Sequence, residues 1–314
     1  MSPIVRTVEV RVPATSANLG PGFDTLGLAL SVYDELTVSS LEGDELEISV
    51  EGTGAAEIAT DESNLVARTI RFAYESVGLI APGLKIEANN AIPHGRGLGS
   101  SGSAVVSGLL AAKGLLEGRV EFTDTDLLRL ATELEGHPDN VAPALFGGLT
   151  IAWTENDRPM HKKLLVHRGV APVVFVPDRT MSTSTARSVL DPAVSREDAV
   201  FNVSRSALLI AALTQSPDLL MSATEDRLHQ GRRAAAMPET DGLVRALRAE
   251  GFAAVVSGAG PSVLVLADGP GKRLEAAAVA EERTGGSWQA LMLAVDFLGG
   301  TVKQSAEGAS AHNF

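Results

Sequence analysis

The segment Pro93-His94-Gly95-Arg96-Gly97-Leu98-Gly99-Ser100-Ser101-Gly102-Ser103 has the residue types and spacing of an anion site. It packs four glycines and three serines into eleven residues and runs straight into a small-residue helical pattern. Glycine permits positive φ and lets a backbone approach a ligand closely. Successive N–H groups in such a loop make a concave anion nest. The helix behind it adds free N–H groups and the positive end of its dipole. Ser100 and Ser101 offer hydroxyls to a phosphate or a metal ion. The pattern is not a Walker A loop, because GxxxxGK[ST] is absent. It matches a dinucleotide fingerprint only loosely, because no acidic residue ends a strand about 20 residues on. Taken alone, it also suits a tight turn that caps a helix.

Three further segments carry polar chemistry. Pro13-Ala14-Thr15-Ser16-Ala17-Asn18-Leu19-Gly20-Pro21-Gly22-Phe23-Asp24 follows the first strand and holds Asn18 and Asp24 on turn residues, where they can orient a small polar substrate. Glu133-Leu134-Glu135-Gly136-His137-Pro138-Asp139-Asn140 sets two carboxylates, a histidine and an Asp-Asn pair close together, a set able to hold Mg²⁺ or a substrate. Ser257-Gly258-Ala259-Gly260-Pro261-Ser262 links two apolar runs. Taken singly, each also reads as an ordinary turn or helix end.

The elements that must position these segments are legible in outline. Residues 4–12 alternate as a strand ending at Pro13. Strands are expected at 35–40 and 45–50, a helix over 64–77, and a strand at 84–88. The glycine loop leads into a helix ending near 116. A helix over 124–135 precedes the His137–Asn140 segment, and a strand follows at 149–153. In the second half, strands are expected at 171–177, 253–256, 263–267 and 291–298. Helices are expected at 195–213, 217–230, 239–250 and 271–284. Asn156-Asp157-Arg158-Pro159 breaks the pattern and marks a soft boundary. The polar tail after Gly300 is expected to be mobile.

With 314 residues and 45% apolar content, the chain has the material for two domains. Aromatics are only 4%, so Val, Leu, Ile and Ala must build the core. The absence of cysteine excludes disulfides, Cys-based zinc sites and thiol nucleophiles. MSPIVRTVEV lacks a signal-peptide h-region, and no apolar run spans a bilayer. These features point to a soluble, cytoplasmic protein without a membrane role. A formal net charge of −13 argues against nucleic-acid partners, and it means that any bound phosphate needs a local cradle.

Taken in order, the segments resemble the GHMP kinase superfamily. PATSANLGPGFDTLG resembles its amino-terminal motif, PHGRGLGSSGS its phosphate loop PxxxGLGSS, and SGAGPS the glycine-rich motif that braces that loop. Within the superfamily, ATSANLGPGFD, EGHPDNVAPALFGG (135–148), STSTARSVL (182–190) and DRLHQGRR (226–233) resemble the members that phosphorylate L-homoserine. The resemblance implies an α+β GHMP kinase fold, a two-domain α/β sandwich. Its ribosomal-protein-S5-like ATP-binding domain would span 1–162 and its ferredoxin-like domain 163–300. It implies ATP as co-substrate, Mg²⁺, transfer to a hydroxyl, and a homodimer. The alternatives are a GHMP kinase for mevalonate- or sugar-type substrates, and a non-catalytic ATP-binding sensor of the same fold.

Residue roles follow from the resemblance by position. Asn18, Asp24, His137, Arg187 and Arg233 match substrate contacts. Asn64 matches a position near the adenine, and residues 93–103 match the ATP loop. Ser100 and Glu135 match metal ligands, with Glu133 second to Glu135. Arg227 and Arg232 remain alternatives to Arg233. Asn18, Asp139 and Asn140 lie where catalytic groups sit, but no lysine falls near Asn18 or Asp24 to pair with an aspartate base.

Overall fold

Val8, Val10 and Val12 are buried while Glu9 and Arg11 are exposed, so the first strand lays one face on a core. The computed structural model describes residues 6–305. Strand β1 (Thr7–Ala17) pairs antiparallel with the long β2 (Leu26–Leu41), with a register shift at Pro13/Ala14. β2 pairs with β4 (Gly83–Asn90), which takes β3 (Leu46–Gly52) as a parallel neighbour. β5 (Leu149–Glu155) pairs with the start of β2 and with β6 (Arg158–Leu164). Helices α1 (Leu65–Ser76), α2 (Ser100–Leu115), α3 (Asp124–Glu135) and α4 (Pro138–Phe146) cover one face of this sheet.

The second half is a four-stranded sheet. Its order is β10 (Gln289–Met292), β7 (Val170–Val176), β9 (Val263–Asp268), β8 (Ala254–Val256). β7 is apolar throughout because both its faces are buried. Val173 and Phe175 pack with residues of α9 (Pro238–Ala249) and α10 (Pro270–Thr284). Val174 and Val176 join a core shared with Leu19, Leu28, Leu30 and Leu149 of the first half, and with α6 (Arg196–Thr214) and α7 (Leu220–Ala223). Short helices α5 (Thr183–Ser188) and α8 (Gln230–Arg233) complete the set.

Several expectations are corrected. The helix expected over 217–230 breaks after α7, because Asp226 accepts the N–H groups of Leu228, His229 and Gln230 and ends the run. The strand expected at 291–298 stops at Met292. Asp296 Oδ1 then accepts from Leu298 and Gly299 and turns the chain back to the first sheet. Asn156 and Asp157, at φ 51° and 58°, form the two-residue turn of the β5–β6 hairpin. The sequence break is thus a hairpin tip. The tail expected to be mobile begins instead with strand β11 (Thr301–Gln304), which pairs with β1 and closes the sheet edge. Residues 306–314 lie outside the described residues.

Candidate active site

The Pro93–Ser103 loop is pinned from two sides. Ser257 Oγ donates to Gly97 O at 2.6 Å and lies 2.9 Å from Ser16 Oγ, while Thr15 N donates to Leu98 O at 3.0 Å. Gly97 sits at φ +76°, where an added Cβ would stand 2.2 Å from Ser257 O. At Gly99 (φ +70°) a Cβ would stand 2.0 Å from Thr15 Oγ1. Only glycine allows this approach, which brings the free N–H groups of α2 to the surface of a cavity of about 200 Å³.

The cavity gathers most of the expected residues. Gly95, Gly97, Gly99, Ser100 and Ser101 form one wall. Glu135, His137, Asp139 and Asn140 form a second, and Asn18, Asp24, Arg187 and Arg233 a third. Arg187 grips Asp24 with both nitrogens, Nη1 to Oδ2 at 3.1 Å and Nη2 to Oδ1 at 2.7 Å. This bond holds the Arg187 guanidinium pKa above its ordinary value. Asn18 takes the left-handed φ of 68° that asparagine tolerates. Its Oδ1 accepts from Asp24 N at 3.0 Å, and its Nδ2 donates to Gly258 O at 2.9 Å. It therefore fastens the Asn18–Asp24 turn to the Ser257–Ser262 brace. Asn140 Oδ1 accepts from Thr15 Oγ1 at 3.0 Å.

Charge in the pocket is finely balanced. His137 Nδ1 lies 3.3 Å from Asp139 Oδ1, off the line of a good hydrogen bond yet close enough for an ion pair. Asp139 raises the His137 pKa. Burial pushes the Glu135 carboxyl up, and the 2.9 Å bond from Ser101 Oγ only partly opposes this. Among the described residues no group of three or more His, Cys, Asp or Glu is placed to cage a metal. A Mg²⁺ carried by nucleotide phosphates needs only one or two protein carboxylates, and Glu135 with its serine neighbour fits that donor set. The hydroxyl bonded to Glu135 is that of Ser101, and Ser100 lines the same cavity beside it. Glu133 points outward to Arg129 at 3.4 Å.

A second cavity of about 320 Å³ shares Ser100 and Ser101 with the first. Leu36, Ile48, Val50, Leu65 and Ile86 make it largely apolar, and Asn64 and His94 lie at its wall. Asn64 also caps α1, accepting from Val66 N at 3.0 Å and Ala67 N at 3.1 Å.

Five loop residues expected to touch nucleotide line neither cavity: Pro93, Arg96, Leu98, Gly102 and Ser103. Leu98 belongs to the shared core. The Arg96 guanidinium donates to His94 O, Pro177 O and Asp178 O, so it ties down the strap ahead of α5. Of the three candidate arginines, Arg227 pairs with Glu197 and Arg232 with Asp191, leaving Arg233 at the cavity. Sequence reading missed Met181, Ser182 and Thr183, and buried Asp34 at the second cavity. An isolated aspartate within a strand carries no local signal; Ser182 and Thr183 open the STSTARSVL run, from which sequence reading singles out only Arg187.

A glycine-bound anion nest adjoining a largely apolar cavity, beside a carboxylate–guanidinium clamp, has the parts of a small-molecule kinase. The family model described as GHMP kinases N terminal domain matches residues 64–148, and that described as GHMP kinases C terminal matches 207–283. The homoserine kinase of Clavibacter michiganensis is 63% identical over 97% of this chain and 96% of its own. That of Leifsonia xyli is 62% identical over 97% and 94%. The crystal structure of homoserine kinase from Cytophaga hutchinsonii superposes with a TM-score of 0.84 at 27% identity, covering 95% of this chain and 98% of that one. The chain belongs to the GHMP kinase family, within its homoserine kinase branch.

Proposed function

We propose that this chain transfers the γ-phosphoryl group of ATP to the side-chain hydroxyl of L-homoserine, giving O-phospho-L-homoserine for threonine biosynthesis. The observation that carries the reading is the clamp of Asp24, Arg187 and Arg233 facing the anion nest across one small cavity. An α-amino acid brings one ammonium and one carboxylate. Asp24 and Asn18 suit the first; the arginine forks suit the second. The substrate zwitterion thus replaces the resident Asp24–Arg187 pair with matching charges on both sides. Its hydroxyl is left to extend toward His137, Asp139 and the nest.

Phosphoryl transfer through a loose transition state asks for alignment and charge neutralisation more than for a strong base. Backbone N–H groups of the nest bind the β- and γ-phosphates. The second cavity, with Asn64 at its wall, takes the adenine. Mg²⁺, when bound, neutralises charge on the phosphate oxygens; Glu135 and Ser101 would hold it, with Ser100 one residue away. Positioning of this kind supplies roughly 7–11 kcal/mol of a barrier. No lysine lines the cavity, so Asp139 has no lysine partner of the kind some family members use. Its part is to orient His137 and polarise the hydroxyl. Asp139→Asn should then lower kcat by less than about 10³-fold with ATP affinity unchanged; a larger collapse makes Asp139 the base.

The division near residue 162, a homodimer and a cytoplasmic location belong to the same proposal and rest on the family resemblance. The direct test is ADP release with L-homoserine, with L-serine, L-threonine and mevalonate as controls. Equal turnover of a substrate lacking the α-amino acid group would sink the assignment.

A further inference from the structure

Arg233, the more deeply buried of the two cavity arginines, is held by a histidine that the reaction above does not use. His229 is 0% exposed. Its Nδ1 lies 3.1 Å from Arg233 Nη1, and its Nε2 lies 2.7 Å from Gly20 O. A guanidinium only donates and a carbonyl only accepts. The ring therefore carries a single proton, on Nε2. An imidazolium would set Nδ1–H against the guanidinium, donor facing donor and cation facing cation. Burial pushes the ring pKa down and the Arg233 charge acts the same way, against the opposing pull of Asp226 and Asp24.

The backbone beneath the pair is fixed as well. Asp226 accepts from the N–H groups of Leu228, His229 and Gln230 and from Asn202 Nδ2. Four residues on, Arg233 projects beside His229 and spends Nε on Ala186 O at 3.0 Å and Nη1 on His229 and Gly258 O. Nη2 is the donor left for the cavity that Arg233 lines. Gly20 belongs to the turn that carries Asn18 and Asp24. One ring thus joins the arginine at one end of the clamp to the loop that bears the aspartate at the other.

We propose that His229 is a positioning residue, whose neutral, Nε2-protonated ring fixes the spacing between Arg233 and the Asp24 turn and so tunes the clamp to an α-amino acid. The inference rests on the proposed function, because it takes the Arg233 partner to be the substrate carboxylate.

Two substitutions separate the ring's two bonds. In His229→Asn the amide oxygen stands near Nδ1 and can still accept from Arg233. In His229→Gln the longer amide can reach Gly20 O but leaves Arg233 without that acceptor. His229→Gln is expected to raise KM for L-homoserine by about tenfold or more, with KM for ATP within about twofold and kcat within about threefold. His229→Asn keeps the Arg233 acceptor but gives up the bond to Gly20 O, so it should raise the same KM by a smaller factor, about threefold; a KM equal to that of the unaltered protein would make the link to the Asp24 turn dispensable and overturn the spacing role. Arg233→Lys is the reference. If it leaves KM for L-homoserine unchanged, the carboxylate assignment fails. If it raises KM while His229→Gln does not, the assignment stands and the positioning role is wrong. Equal damage to both KM values in both His229 variants reduces the ring to a packing group. Should the variants not fold, nitrogen NMR of the unaltered protein with labelled histidine decides: among six histidines, the solvent-protected ring must show a bare Nδ1 and a protonated Nε2. An Nδ1–H or doubly protonated signal there at neutral pH overturns the proposal.

Discussion

Glu135 stands in the pocket at a cost that its own environment reveals. Its pKa is raised from 4.5 by burial. A carboxyl whose folded pKa exceeds its unfolded value stabilises the fold while protonated; that contribution is present below the unfolded value and is lost as pH climbs through the folded one. Above its folded pKa the ligand-free protein carries a carboxylate that burial disfavours and that Ser101 Oγ only partly offsets, until a cation arrives. Glu135→Gln should raise the ligand-free Tm by roughly 2 °C at pH 8, with the difference vanishing near pH 4.5. Activity should fall by about 10²-fold or more. Thermal scans of both proteins across pH check the first part; a Tm gain over the unaltered protein no larger at pH 8 than at pH 4.5 contradicts it. Asp24 shows the opposite economy. Its pair with Arg187 is over a third exposed on each side, so it adds only about 0–1 kcal/mol to stability. Removing a charge-assisted contact to substrate costs about 1.5–3 kcal/mol, or roughly 10–100-fold. Asp24→Asn is expected to leave Tm nearly unchanged while KM for L-homoserine rises by that factor in steady-state assays.

Among the elements, the phosphate loop depends on its brace. Gly97→Ala would force a non-glycine residue to φ +76° with its Cβ 2.2 Å from Ser257 O, so the loop must leave the turn that holds it. A rise in KM for ATP of about 100-fold is expected, because the nest loses its aim; an ATP titration with unchanged KM would show that the brace is dispensable. The motifs at 13–24, 93–103 and 257–262 were legible in sequence because glycine and asparagine at fixed offsets announce special backbone. The long strand runs were legible because both faces of β7 are buried and leave an unbroken apolar run. What escaped depended on distant partners. β11 looks like polar tail, since what holds it lies far off in the chain: the edge of β1 nearly 300 positions earlier, and the flank of α2, where Val302 packs and Gln304 Nε2 donates to Gly114 O. The helix at 217–230 fits its local pattern until Asp226 captures three backbone N–H groups. Ser101 rather than Ser100 meets Glu135 because the rotation of α2 against α3 decides it, and adjacent serines look alike in sequence.

At the scale of the whole molecule, the site is the seam between two sheets. Asn18 Nδ2 donates to Gly258 O and Ser257 Oγ to Gly97 O, so polar bonds cross from one half to the other at the pocket. Behind them Leu19, Leu28, Leu30 and Leu98 share one buried cluster with Val174, Val255 and Leu264. Halves joined by a common hydrophobic core should not unfold apart, because exposing either strips apolar surface from both. Calorimetry is expected to give one transition with calorimetric and van't Hoff enthalpies in agreement. A non-hydrolysable ATP analogue at about 100 times its Kd adds roughly 2.7 kcal/mol, which moves the Tm of a chain this long by about 4 °C. The decisive feature is that the peak moves whole. A scan that splits, with the analogue shifting one component and leaving the other in place, would mean that the second half folds on its own and that the clamp is assembled only when substrates draw the halves together.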